Sequence, residues 1–214
     1  MSRFVTHPLE SIGPRLNAML ADVGQPPLSA GAAAQCEAYH NVLMRWNSKI
    51  NLTAIRREEE ILRRHFVESI AVARALPAGI QKLLDFGSGA GFPGLPIAIC
   101  RPEISVVLAE SQLKKSAFLR EAVRSAGIAV EVYGNRAETI GRLFDCVALR
   151  AVDQMEEAAK VASSLVAPGG WIALMTTHSE SADLTAAIGK AFSWREPLLL
   201  PSADARVLLL GRWG

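Results

Sequence analysis

The chain has 214 residues, with 23 Lys and Arg against 21 Asp and Glu, a net charge of +2, and half of its residues are apolar. This balance excludes an intrinsically disordered chain, and no apolar run approaches the roughly 18–20 residues of a membrane span. The near-neutral charge neither requires nor excludes a nucleic-acid partner. Met1–Pro8 lacks the apolar segment of a secretory signal. Cys36, Cys100 and Cys146 are odd in number and lack metal-type spacing. A cytoplasmic protein with reduced thiols, no metal and no membrane attachment is expected.

Pro8, Gly13, Pro14, Gly24, Pro26 and Pro27 break the first segment around a short helix near Arg15–Asp22. Ser29 can cap the next helix. Within it Cys36, Tyr39, Leu43, Trp46 and Ile50 recur at spacings of three and four, which makes one apolar stripe. Asn47-Ser48-Lys49 is expected to interrupt or end that helix. Glu58-Glu59-Glu60 suits the first turn of a third helix, where the dipole favours anions. That helix runs through Ile61, Leu62, Phe66 and Ile70 and ends before Pro77. Residues 1–77 therefore read as a helical extension and 78–214 as an α/β unit.

From Lys82 the pattern alternates. Strands are expected at Lys82–Phe86, Ile104–Ala109, Ile128–Tyr133, Asp145–Leu149 and Trp171–Met175, and near Leu198–Leu200 and Val207–Gly211. Helices are expected around Pro96–Cys100, at Leu113–Ala126 under a Ser111 cap, at Met155–Val166 and near Ser181–Ala191. Pro168-Gly169-Gly170 reads as a turn. Such alternation implies a mostly parallel sheet with helices on both faces.

The first of these strands runs into Asp85-Phe86-Gly87-Ser88-Gly89-Ala90-Gly91-Phe92-Pro93-Gly94. The spacing is G-x-G-x-G, not the G-x-G-x-x-G of dinucleotide enzymes. Glycines let the backbone turn tightly and approach a ligand. Asp85 beside them disfavours a pyrophosphate and suits a cofactor with a cationic amino-acid tail, as S-adenosylmethionine has. Glu110 ends the second strand, 19 residues after Gly91, where an acid can accept from ribose hydroxyls. Glu138 follows the third strand and can face an adenine, or be a solvated helix residue. Arg150 ends the fourth and can orient cofactor or base, or pair with Asp153 or Glu156. Arg56, Arg57, Arg63 and Arg64 can grip phosphates or pair with Glu58, Glu59, Glu60 and Glu68. Lys114 and Lys115 sit in the first turn of a basic helix at the carboxyl edge, where RNA contact is favoured. Tyr39 and Trp46 read as helix-packing core, and His65 as a hydrogen-bonded structural residue.

Several segments together resemble one family. They are Trp46-Asn47-Ser48-Lys49-Ile50-Asn51-Leu52-Thr53-Ala54-Ile55, His65-Phe66-Val67-Glu68-Ser69-Ile70, Leu84–Pro96, Ser111–Leu119, Asn135-Arg136-Ala137-Glu138 and Arg150-Ala151-Val152. From Tyr39 to Gly211 the chain is similar to the ribosomal RNA small-subunit methyltransferase G family, also called GidB. The W-N-x-K-x-N-L-T-A-I segment carries the specificity of that resemblance. It implies a Rossmann-like seven-strand S-adenosylmethionine-dependent methyltransferase fold with its last strand antiparallel. It also implies methylation of a guanine N7 in the 530 loop of 16S rRNA.

Gly87, Phe92, Ala137, Glu138 and Arg150 match the family's cofactor positions, and Gly89, Gly91 and Glu110 join them from the motif. Arg150 is also the expected catalytic residue. Lys114, Lys115 and Arg136 match basic positions near the active-site mouth and are the expected RNA contacts. The chain departs from the family at Glu68, where Asp is usual, and at Leu149, where Ser is usual. Met175-Thr176-Thr177 replaces Leu-Lys-Gly, so no RNA contact is assigned there. A monomer is expected, with 16S rRNA as partner, alone or within the small subunit. The residues leave open a methyltransferase for a protein or small molecule, a non-catalytic nucleotide-binding module, and an NAD-dependent oxidoreductase.

Overall fold

The computed structural model describes residues 11–201 and 205–214; Met1–Pro8 lies outside them. Helix α1 (Ile12–Asp22) starts earlier than its breakers suggest, because Pro14 fits a first helical turn, where its missing N–H has no partner to lose. Helix α2 (Ala30–Ile50) is capped by Ser29, whose Oγ accepts from the Ala32 N–H at 3.2 Å. Asn47-Ser48-Lys49 does not interrupt it. The helix runs on to Ile50 and ends on Asn51 in the left-handed region, φ 50°. Buried Asn47 instead turns its Oδ1 to accept from the Thr53 N–H at 2.9 Å, which fixes the chain after the helix.

The third helix is continuous but not uniform. It comprises α3 (Glu58–Ile61), a π-helical turn (Leu62–Val67) and α4 (Glu68–Ala75). A π turn inserts one residue into a helix and shifts the side chains that follow, a device common at functional sites.

The sheet contains β1 (Lys82–Phe86), β2 (Ser105–Ala109), β3 (Glu131–Tyr133), β4 (Phe144–Arg150), β5 (Val166–Thr177), β6 (Phe192–Trp194), β7 (Leu198–Leu199) and β8 (Arg206–Trp213). Its order is β3-β2-β1-β4-β5-β8-β6. Strands β1 to β5 pair in parallel, and β8 is antiparallel to β5, β6 and the two-residue β7. The chain steps outward from β1 to β3 and returns beside β1 as β4. The crevice at the carboxyl ends of β1 and β4 is thus the switch point where open α/β sheets bind ligands.

Strand alternation sorts the core into two faces. Leu83, Val106, Leu108, Cys146 and Ala148 pack with α1, α2 and α4, and with α5 (Gly94–Cys100) and α6 (Leu113–Ala126). Leu84, Val107, Val147 and Leu149 pack with α7 (Met155–Ser163) and α8 (Ser181–Ile188). Leu149 is fully buried there, where a Ser would leave a hydroxyl to satisfy. Tyr39 is core, with its ring centroid 5.2 Å from those of Phe66 and Phe92 and its hydroxyl donating to the Ala90 carbonyl at 2.5 Å. Trp46 packs edge-on to Phe118 and donates to Glu121 at 2.8 Å.

Three further expectations change. Pro168-Gly169-Gly170 lies inside β5, not before it: the register passes from Phe144↔Val166 to Cys146↔Trp171, so the intervening residues bulge from a continuous strand. Helix α7 consequently stops at Ser163 rather than Val166. Ser111 does not cap α6. Gln112 holds that position, and its N–H donates to Glu110 Oε1 at 2.8 Å. Among the described residues no helix is long and apolar enough to cross a membrane.

Candidate active site

The glycine turn leaves β1 with Gly87, Gly89 and Gly91 at φ of 69°, 55° and 92°, a region that strains L side chains. Gly89 and Gly91 do different things. A Cβ on Gly89 would meet nothing closer than the Gly87 carbonyl at 3.8 Å, so this position opens on the cavity. A Cβ on Gly91 would lie 2.6 Å from Leu95 Cδ1 and 3.0 Å from the Tyr39 hydroxyl. Gly91 therefore serves close packing and does not line the cavity. Gly94, given no role from sequence, would place a Cβ 2.5 Å from Asp85 Oδ2.

Asp85 also departs from its sequence reading. It lies on the α5 face of β1, 1% exposed, and its Oδ2 accepts from the Gly94 N–H at 3.1 Å. Burial raises its pKa to about 7. The carboxylate braces the start of α5 and is not part of the cavity wall, so it does not present a charge to a cationic tail. Glu110 is on the wall, and its Oε2 accepts from the Gly89 N–H at 3.0 Å. It ties the tip of the glycine turn to the end of β2. A carboxylate has about four acceptor sites, so capacity remains for ribose hydroxyls.

Arg150 ends β4 against the helices rather than against Asp153 or Glu156. Its NH2 donates to the Arg64 carbonyl at 2.6 Å and to Glu68 Oε2 at 3.0 Å, and lies 3.1 Å from His65 Nδ1; its NH1 reaches Ser69 Oγ at 3.4 Å. Arg206 lies 3.4 Å from the same Glu68 oxygen. Glu68, where the family has Asp, is thus a fully buried carboxylate between two guanidinium groups. The π turn supplies the Arg64 carbonyl and His65 to this cluster. Burial, and then Arg150 and Arg206, lower the His65 pKa to about 3, so the ring is neutral at physiological pH. It stacks on Phe92 at 4.8 Å and 22°.

The cavity at this edge has a volume of about 640 Å³. Gly87, Gly89, Phe92, Glu110, Ala137, Glu138 and Arg150 all line it, as do Lys115 and Arg136. Lys114 lies exposed beside it without joining the wall. Glu138 pairs with Arg136 at 2.5 Å; its own backbone N–H and then Arg136 lower its pKa. Of the arginines around the third helix, Arg56 donates to Asn51 Oδ1 at 2.7 Å and Arg64 pairs with Glu60 at 3.4 Å, while Glu58 and Glu59 bind Arg15.

Sequence reasoning missed the part of the wall made by Leu52, Thr53, Ala54 and His65, and the lining residues Ala151 and Gln154. The last two have φ of 49° and 53°, strain of the kind found at ligand sites. The N-L-T and H-F-V-E-S segments were visible, but nothing local in them shows that they meet β4.

The residues present fit S-adenosylmethionine. There is room for a ligand of that size, Gly89 opens on the space, and Glu110 stands at the position of a ribose acceptor. A sheet of this order, with a glycine turn after β1 and an acid after β2 over a cavity at the carboxyl edge, defines an S-adenosylmethionine-dependent methyltransferase. Solved structures agree on the fold. A predicted O-methyltransferase, Atu636 from Agrobacterium tumefaciens, superposes with TM-score 0.57 at 21% identity, covering 68% of this chain and 80% of that one. TrmN from Thermus thermophilus gives 0.53 at 20%, covering 71% and 53%.

Sequence comparison is more particular. Residues 32–198 match the GidB family, rRNA small subunit methyltransferase G, and the chain belongs to that family. Ribosomal RNA small subunit methyltransferase G of Stenotrophomonas maltophilia K279a is 39% identical over 188 residues, 84% of this chain and 86% of that protein. The Xanthomonas campestris pv. campestris 8004 protein of the same name is 36% identical over 205 residues, 91% and 93% of the two chains.

Proposed function

We propose that this protein methylates N7 of a guanine in the 530 loop of 16S rRNA, acting as a metal-free, cytoplasmic monomer on the RNA or the small subunit. The observation that carries this reading is the cavity at the β1/β4 switch point, walled by the glycine turn and Glu110 and rimmed by Lys115 and Arg136. S-adenosylmethionine supplies an electrophilic methyl group when bound. Gly87, Gly89, Phe92, Glu110, Ala137 and Glu138 hold it; Gly91 supports the turn from behind. Arg150, committed to Glu68, His65 and the Arg64 carbonyl, acts by positioning the wall. The described helices α1, α2 and α4 and the sheet work as one body, which the core they share supports. Transfer of a labelled methyl group from the cofactor to 16S rRNA, but not to protein or small-molecule extracts, tests the acceptor class.

Guanine N7 carries a free lone pair, so no side chain need remove a proton. The enzyme's task is alignment, with reacting atoms about 3–3.5 Å apart. His65, the histidine on the wall, has a pKa lowered to about 3 and stays neutral from pH 6.5 to 8.5. With both substrates saturating, the single-turnover rate is expected to vary less than about threefold across that range. A tenfold rise with one pKa would contradict this.

Lys114, Lys115 and Arg136 are the proposed RNA contacts. Glu121, the acid among the basic residues of α6, is taken by Arg45 at 2.6 Å and by Trp46, so it does not neutralise that face. Each phosphate contact contributes about 0.7–0.9 to the slope of log affinity against log salt. Replacing Lys114 and Lys115 together by Ala is expected to weaken RNA binding and flatten the slope by about one to two. An unchanged slope would mean that this face is only solvated.

A further inference from the structure

Part of the cavity wall is not assigned to the cofactor: Leu52, Thr53 and Ala54 from the segment after α2, and His65 from the π turn. Its backbone is fixed before any ligand arrives: Asn47 holds the Thr53 N–H, and Thr53 Oγ1 accepts from the Ile55 N–H at 3.2 Å. Thr53 Oγ1 also lies 2.8 Å from His65 Nε2. The other His65 nitrogen faces Arg150 NH2 at 3.1 Å. An arginine nitrogen offers no acceptor, so Nδ1 faces it without a proton and the proton of the neutral ring is on Nε2. His65 therefore donates to Thr53. Two donors then occupy both lone pairs of that hydroxyl, and its one O–H proton remains to be given away.

Thr53 thus presents a donor of fixed direction on the cavity wall, beside the stacked pair His65 and Phe92. RNA-modifying enzymes commonly take up unstacked bases by stacking on aromatic or histidine rings and hydrogen bonding to base edges. Guanine carries the acceptor O6 next to N7, whereas adenine carries an amino donor there. We infer that Leu52–Ala54 and His65 form the acceptor-base subsite, and that the Thr53 hydroxyl donates to guanine O6 and selects guanine over adenine. His65 is a positioning residue: it aims the hydroxyl and links it to Arg150. This inference rests on the guanine-N7 reading proposed above.

The test uses the full chain and RNA fragments of the 530 loop carrying guanine, inosine or 2-aminopurine at the target. Inosine keeps O6, 2-aminopurine lacks it, and both keep N7. The readout is kcat/KM for each base divided by that base's N7 reactivity with a free methylating reagent. For the wild-type protein, inosine is expected to match guanine and 2-aminopurine to fall about three- to tenfold, the range of one neutral hydrogen bond. Thr53→Val is expected to lower guanine by a similar factor and 2-aminopurine no further, with cofactor affinity unchanged. Thr53→Ser, which keeps the hydroxyl, is expected to restore discrimination. A wild-type protein that treats the three bases alike overturns the inference, and needs no variant to fold. Thr53→Val that weakens cofactor binding but preserves discrimination also overturns it, assigning the hydroxyl to the cofactor. If the wild-type protein modifies no guanine N7 in the fragments, in 16S rRNA or in the small subunit, the underlying reading fails instead.

Discussion

Gly89→Val is expected to abolish S-adenosylmethionine binding, by at least a hundredfold, while far-ultraviolet circular dichroism stays native. The Cβ position is open on the cavity side, so the added isopropyl group intrudes on the ligand and not on the core. The backbone is left-handed at φ 55°, and a non-glycine residue there costs about 1–2 kcal/mol, a loss that a domain of this size tolerates. Gly94→Ala makes the contrast. Its methyl group would lie 2.5 Å from Asp85 Oδ2, inside the core, and overpacking costs about 1–3 kcal/mol. Calorimetry with the cofactor and thermal melts of both variants separate the two roles. Native affinity in Gly89→Val would contradict the site.

Glu68→Gln is expected to be the most destabilising single change around the site. It removes the negative charge between Arg150 and Arg206, both of which lie within 3.4 Å of one carboxylate oxygen. Leaving a buried charge without its partner costs about 3–5 kcal/mol. At about 2–4 °C per kcal/mol for a chain of this length, the melting temperature should fall by about 10 °C. Glu68→Asp keeps the charge on a shorter arm and should lose less than half as much. A melting temperature within 2 °C of wild type for Glu68→Gln would show that the cluster does not hold the helices to the sheet.

These two residues also mark what a sequence discloses. Gly89 and Glu110 were legible because their roles are local: a strand ends, the backbone must turn, and the next strand ends one register away. The sheet was legible because its strands are short apolar runs separated by helices. Glu68 and Arg150 are 82 positions apart; from sequence, Glu68 reads as a mid-helix acid for nearby arginines and Arg150 as a strand end. The π turn that brings Arg64 and His65 to Arg150 has no composition of its own, since a single inserted residue barely disturbs a helical stripe. Asp85 misled because its neighbours are functional. Strand alternation turns its carboxylate towards α5, and no adjacent residue records that packing.

The most direct measurement of the central claim is nucleotide mapping. 16S rRNA from a strain lacking this gene is incubated with the purified protein and S-adenosylmethionine, and N7-methylguanosine is located by chemical cleavage at the modified base. One new modified guanine within the 530 loop, absent without cofactor and absent with Gly89→Val, is the expected result. Methyl groups on another base, on another atom or outside that loop would contradict the proposed function.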